Sequence, residues 1–247
     1  MRVAAVQFKA TYADPNASRA RVEARMAEAH AAGVDLIVLP EMAFTGYVFA
    51  DAAALMPLAE PAEGATFAWA SSHAQRGRCW IVVGFPERAG DRLFNSALVV
   101  NPSGELSFCY RKTLLFDADR TWATPGDSGY RRFDTDAGSF AVGICMDLND
   151  PRFLLWAWRQ RLDVLAFPTN WIEEGLDVHD YWRERVEGSG AGLAAANTWG
   201  PERGVKFSGR SALMEGGAVV AAARKRGDAC LVANVTRRPD RIDADLR

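Results

Sequence analysis

Three residues of this chain carry reactive groups in one kind of setting. Cys145 follows the apolar run Phe140-Ala141-Val142-Gly143-Ile144 and precedes Met146-Asp147-Leu148-Asn149-Asp150-Pro151, a stretch of acidic, turn-forming residues. Glu41 follows Leu36-Ile37-Val38-Leu39-Pro40, and Lys112 closes a run that begins near Leu106. Each stands where a hydrophobic strand gives out, rigid behind and open in front. A thiol, a carboxylate and an ammonium are what acyl chemistry needs: a nucleophile, a proton carrier and a stabiliser of negative charge. A thiol of ordinary pKa near 8.5 is only a few per cent thiolate at neutral pH, so Cys145 needs a base. Glu41 is the candidate, because desolvation raises a carboxyl's proton affinity toward the useful range. Lys112 then faces the forming oxyanion together with the backbone N–H after the cysteine, and one such donor is commonly worth about 3 kcal/mol. Taken singly, each residue also has a plainer reading: a buried cysteine usually packs, and a charged residue at a strand end is usually solvated.

The elements that must position these groups follow from pattern. Met1 to Phe8 reads as a first strand. Asp14-Pro15-Asn16 starts, and Gly33 stops, a helix over Ala17 to Ala32, and Val34 to Leu39 is the next strand. The unit repeats as a helix over Ala65 to Arg76 and a strand over Cys79 to Phe85. Ser96 to Val100 and Leu106 to Tyr110 flank Asn101-Pro102-Ser103-Gly104, a hairpin turn by composition. After the cysteine come a helix over Pro151 to Arg161, a strand over Val164 to Phe167, helical character over Asp180 to Gly188 and a strand at Gly192 to Ala196. A hairpin over Ala212 to Met214 and Ala218 to Ala222 and a last strand over Cys230 to Val235 complete the pattern. Strands mixed with helices in two alternating halves imply a layered α/β fold. No linker, repeat or low-complexity tract divides the chain, which reads as a single domain over 1–247.

Composition narrows the function. Lys plus Arg total 29 against 31 acidic residues, with no bias toward nucleic acid or membrane. The basic cluster Arg224-Lys225-Arg226 and the arginines of the tail are too short for a phosphate-binding face and read as solvated surface. The first residues lack the apolar stretch of a signal peptide, and no run approaches the roughly 20 apolar residues that span a bilayer, so a cytoplasmic protein is expected. Cys79, Cys109, Cys145 and Cys230 then remain thiols, without CxxC pairing. His30, His73 and His179 are too scattered in sequence to suggest a zinc site, so an enzyme with no metal and no cofactor is expected.

The ordered motifs resemble the nitrilase or carbon-nitrogen hydrolase superfamily, whose members hydrolyse amides and nitriles with a Glu-Lys-Cys triad. Leu39-Pro40-Glu41 is similar to the motif of the general base and Tyr110-Arg111-Lys112 to that of the lysine. Gly143-Ile144-Cys145-Met146-Asp147 resembles the nucleophile motif. Pro125-Gly126-Asp127, Phe167-Pro168-Thr169-Asn170-Trp171, Ala195-Ala196-Asn197 and Phe207-Ser208-Gly209-Arg210-Ser211 fit the family's remaining signatures in order. The resemblance implies catalytic roles for Glu41, Lys112 and Cys145, a four-layer α-β-β-α sandwich, and a homodimer or higher homo-oligomer built through helices near the cysteine. Many members carry a second glutamate after the lysine. Here Asp119 stands near that place, and either it or Asp117 orients Lys112.

Asp119, Met146, Asp147, Asn170 and Trp171 are the candidate substrate-binding residues, with Asp147 a partner for a substrate ammonium or, equally, the cap of the following helix. Asn170 and Asn197 read as pocket or turn residues. Many small-molecule amidases that resemble this chain have an arginine four places beyond the cysteine, where this chain has Asn149. That departure, with Phe116-Asp117-Ala118-Asp119-Arg120-Thr121-Trp122 after the lysine, resembles the branch of protein N-terminal asparagine and glutamine amidases. The resemblance implies a peptide N-terminus as substrate; the alternative is a small amide, as for an omega-amidase or carbamoylase, or a nitrile. Loops at Phe49 to Ala62 and Glu173 to Asp180 are expected to set the pocket.

Overall fold

The computed structural model describes residues 1–236, and the arginines of the tail lie outside the described residues. The apolar runs become strands and the alanine- and arginine-rich segments become helices. In chain order these are β1 (Arg2–Gln7), α1 (Pro15–Ala31), β2 (Leu36–Val38), α2 (Ala52–Leu55), α3 (Ala65–Gly77), β3 (Trp80–Ala89), β4 (Arg92–Val100) and β5 (Leu106–Arg111). The second half comprises β6 (Arg132–Thr135), β7 (Gly138–Val142), α4 (Pro151–Arg159), β8 (Val164–Thr169), α5 (Val178–Val186), β9 (Gly192–Asn197), β10 (Trp199–Glu202), β11 (Val205–Ser208), β12 (Ala212–Glu215), β13 (Ala218–Ala222) and β14 (Ala229–Asn234). The Asp14 side chain caps α1 by accepting from Ala17 N, with Pro15 in the first turn where its missing N–H costs nothing.

Two six-stranded sheets form, in the orders β14-β1-β2-β3-β4-β5 and β13-β12-β9-β8-β7-β6. Each has a parallel centre, β1 with β2 and β3 in one, β7 with β8 and β9 in the other. Their inner faces pack together through Val3, Val38, Val82, Val99 and Tyr110 on one side and Phe140, Val142, Val164, Ala166 and Leu213 on the other. α1 and α3 cover the first sheet with Val22, Met26 and Ala70, while α4 and α5 cover the second with Phe153, Ala157 and Trp182. The result is the expected α-β-β-α sandwich. Burying apolar strands on both faces explains why they read as continuous hydrophobic runs rather than alternating ones.

Several elements differ from the sequence reading. β6 and the β10–β11 hairpin form from segments too short and polar to signal strands, and the expected pocket loop after Phe49 contains α2. α5 begins two residues earlier than expected because Asp177 caps it, accepting from His179 N and Asp180 N. The histidines are less scattered in space than in sequence: His73 Nδ1 lies 3.4 Å from His30 Nε2. Arg224-Lys225-Arg226 is exposed, with Lys225 paired to Glu173. Among the described residues, no helix is long and apolar enough to cross a membrane.

Candidate active site

Glu41 leaves the end of β2 along a path fixed by β3. Leu39 N donates to Val82 O, Gly84 N to Pro40 O and Ala43 N to Gly84 O, so the chain runs across Gly84. A Cβ at residue 84 would lie 2.5 Å from Glu41 Cα, a close approach that only glycine permits. Met42 then turns the chain with a φ of 49°. The buried carboxylate receives Lys112 Nζ at 2.7 Å and Asn95 Nδ2 at 2.7 Å on Oε1, and Asn170 N at 2.8 Å on Oε2. Asn170 Nδ2 also donates to the Glu41 carbonyl, 2.8 Å away. Asn170, at the end of β8, therefore ties the second sheet to the base of the first.

Lys112 continues β5, and its N–H donates to Asn95 O on β4. Its ammonium, wholly buried, lies between Glu41 Oε1 and Asp119 Oδ2, the latter at 2.6 Å. A short 3-10 turn, Asp119–Thr121, brings Asp119 inward, whereas the Asp117 side chain is 89% exposed and only 3.9 Å from Arg120. The second carboxylate at the lysine is thus Asp119. Its oxygens also accept from Tyr47 OH at 2.9 Å, Asn95 Nδ2 at 3.2 Å and Phe116 N at 3.0 Å. Four donors thus anchor this one buried carboxylate.

Cys145 opens a 3-10 helix, Cys145–Asn149, directly after β7 and Ile144. Gly143 N donates to Ala166 O on β8, and the Phe153 ring of α4 stacks where a Cβ of residue 143 would stand, 2.5 Å from that atom's position. Cys145 itself has a φ of 44°, a strained conformation for a residue with a side chain, costing on the order of 1–3 kcal/mol. The surroundings hold it there through Asp147. One oxygen of that buried carboxylate accepts from Ile144 N and Tyr110 OH, and the other from Thr113 N, Thr113 Oγ1 and Leu114 N, all at 2.8–2.9 Å. Asp147 therefore stitches the cysteine loop to the segment just beyond Lys112. Asp147 is not the cap of the following helix, because Asp150 caps α4 by accepting from Arg152 N.

Electrostatics distinguish the three candidate groups. Burial pushes the Glu41 carboxyl up, and the Asp119 charge adds to this against the opposing pull of Lys112 and Asn95. Burial works against the Lys112 ammonium, yet Asp119 and Glu41 hold its pKa well above the usual lysine value. Burial and the Glu41 carboxylate raise the Cys145 thiol, while Lys112 and the Thr169 hydroxyl pull it down. At rest the thiol is protonated and the ammonium is charged, while the Glu41 carboxyl has a raised proton affinity. Cys145 is 7% exposed against 1% for Glu41 and 0% for Lys112, so all three residues are buried, the cysteine least deeply.

Met146 is half-buried, and its sulfur accepts from Asn149 Nδ2 at 3.4 Å. Half-buried Trp171 packs against Phe167, Tyr181 and Trp182. The Trp171 backbone N–H donates to Asn197 Oδ1, while Asn197 Nδ2 donates to Ser208 Oγ and Gly209 O, so Asn197 is a buried brace at the strand ends. Reasoning from sequence missed Tyr47, Asn95 and Arg185. A polar Asn95 inside the apolar run Leu93 to Val100 was a usable signal. Arg185 was not readable: it reaches from α5 to donate Nε to Asn149 Oδ1 at 3.2 Å, stacked on Tyr181.

Comparison with known proteins identifies the family and the fold. Residues 2–238 match the model of the carbon-nitrogen hydrolase family. A nitrilase of Pyrococcus abyssi is 32% identical over 85% of this chain and 80% of its own length. A protein N-terminal amidase of Saccharomyces cerevisiae is 35% identical over 49% of this chain and 31% of its own length. A mutant of the amidase of Nesterenkonia sp. AN1, solved with acrylamide added to its active-site cysteine, superposes with a TM-score of 0.85 at 21% identity, covering 96% of this chain and 93% of that one. The chain belongs to the carbon-nitrogen hydrolase family.

Proposed function

We propose that this amidase-family hydrolase cleaves the C–N bond of a carboxamide through a thioester on Cys145, with Glu41 as proton carrier and Lys112 as oxyanion stabiliser. The observation that carries this reading is the buried Glu41–Lys112 pair set beside a protonated, strained cysteine at converging strand ends. As substrate enters, Glu41 takes the Cys145 proton while sulfur bonds to the carbonyl carbon and the π electrons move to oxygen. The Lys112 ammonium and the Met146 N–H stabilise that oxyanion. Glu41 returns the proton to nitrogen, the C–N bond breaks and ammonia leaves. Water, deprotonated by Glu41, attacks the thioester, the C–S bond breaks, and the thiolate recovers its proton to release the acid. Asp119 and Asn95 fix Lys112 and Glu41 throughout, and Asp147 fixes the loop that carries the sulfur.

The substrate we propose is the carboxamide of an N-terminal Asn or Gln of a peptide. The yeast relative's name and Asn149 in place of an arginine support it. A small amide or a nitrile is the second reading, supported by the Pyrococcus nitrilase, which aligns along more of this chain. Ammonia release from short peptides beginning with Asn or Gln, set against free asparagine, glutamine, ω-amides of keto acids and simple nitriles, decides between them. Turnover of the peptides alone supports the first; turnover of the small compounds alone overturns it. We also propose a homo-oligomer associated through α4, which exposes Leu155 and Trp158 to solvent. Trp158→Glu should lower the mass measured by light scattering, and a monomeric wild type would overturn that reading.

A further inference from the structure

One buried polar atom beside the nucleophile has no role in the machinery described so far. Thr169 is the last residue of β8, has no solvent exposure, and its hydroxyl makes no hydrogen bond of ordinary geometry among the described residues, although it lies near enough to Cys145 to act on the thiolate as a donor. A buried hydroxyl left in this way costs free energy, so its persistence needs a reason. The backbone gives its location. β7 and β8 run parallel with Val142 paired to Ala166, and Gly143 N donates to Ala166 O, so the two strands end side by side, with Cys145 and Thr169 each three residues beyond that pair. The next residue, Asn170, is fastened to Glu41 by its backbone N–H and its side chain, which leaves Thr169 little freedom to move away. The hydroxyl also favours the charged form of the neighbouring thiol, against burial and the Glu41 carboxylate.

We propose that Thr169 is a positioning residue for the nucleophile, whose hydroxyl turns to donate a hydrogen bond to the Cys145 sulfur as the thiolate forms. The proton that leaves sulfur still goes to Glu41. Thr169 keeps its own proton and only shares it, so the step consumes nothing and is reversed when the thiol re-forms. The hydroxyl is unpartnered with the neutral thiol because a thiol is a weak acceptor, whereas a thiolate is a strong one. The idea rests on the proposed role of Cys145 as nucleophile and adds a device that lowers the barrier to its ionisation.

The test is the pH dependence of Cys145 alkylation by iodoacetamide, read by peptide mass spectrometry in the full chain for wild type, Thr169→Val and Thr169→Ser. Valine keeps the shape and removes the donor; serine keeps the donor. A hydrogen bond to a charged partner predicts that Thr169→Val alkylates about tenfold or more slowly at neutral pH, with its profile displaced upward by about one unit. Thr169→Ser should come back to within about threefold of wild type, on the premise that the bond and not the methyl group matters. If the valine variant does not fold, Thr169→Ala carries the same expectation. A valine or alanine variant with the wild-type rate and profile overturns the proposal, as does a serine variant as slow as valine. Failure of the underlying reading looks different: Cys145→Ala would still release ammonia from the amide panel, whatever the alkylation series shows.

Discussion

Asp119→Asn is the sharpest perturbation of the arrangement around Lys112. The substitution keeps the shape and removes one charge from a site where a carboxylate accepts four hydrogen bonds. A carboxamide offers one acceptor oxygen. If that oxygen stays on Lys112 and Phe116 N, the new NH2 faces Tyr47 OH, which can turn to accept, and Asn95 Nδ2, which cannot. Lys112 keeps Glu41 but loses half of its counter-charge. One weakened charge-assisted bond and one orphaned buried donor together cost about 3–5 kcal/mol of stability. Without Asp119 the Lys112 ammonium also acts on Glu41 alone, which lowers the proton affinity of the proposed base, and turnover should fall by about a hundredfold. Urea unfolding of wild type, Asp119→Asn and Asp117→Asn measures the first effect, and ammonia release the second. Asp117→Asn serves as the internal control, since that side chain is exposed and should change neither quantity. An Asp119→Asn protein within about 0.5 kcal/mol of wild type, the range of an ordinary surface change, would refute the reasoning.

Further outcomes follow from the same geometry. Gly84→Ala places a methyl group against the Glu41 backbone and should cost about 1–3 kcal/mol and displace the base, read as a lower urea midpoint with lower turnover. Asp147→Asn should uncouple the cysteine loop from the lysine segment, so that thermal melting falls and Cys145 alkylation becomes less selective over the other thiols. Turnover should depend on an ionised Glu41 whose carboxyl is raised by burial, giving an acid limb above the ordinary value of 4.5, and a limb at or below that value would contradict the assignment. His30 and His73 are both held below the usual 6.5, mainly by burial, with Arg76 beside them and Glu23 opposing. The unfolded chain therefore binds protons that the folded one refuses. Their contribution is complete above pH 6.5 and is lost as pH falls below it, and His73→Gln should flatten urea stability across that window.

The three strand-end groups were legible in sequence because a hydrophobic run that stops at a charged or reactive residue says both where the strand ends and what it presents. Helix limits read well where chemistry marks them, as with Asp14 and Pro15 at α1 and Pro151 at α4. What failed was whatever depends on two distant segments meeting. Asp147 looked like a free carboxylate beside the nucleophile, and nothing local says that Thr113, 34 residues earlier, consumes it. Asp117 and Asp119 are indistinguishable until a single 3-10 turn points one inward and the other out. Asn149 was legible as a departure, but nothing local says that Arg185, 36 residues further on, donates to its side chain. The β10–β11 hairpin was missed because its strands are short and interrupted by glycine and proline, and its pairing depends on contacts made elsewhere.

The most direct test of the account is to quench turnover with acid and weigh the protein. With an amide that releases ammonia, the wild-type chain should carry the acyl group of the substrate on the peptide containing Cys145, and Cys145→Ala should carry none and release no ammonia. Steady ammonia release by Cys145→Ala, or an acyl group found on a different residue of the wild type, would contradict it.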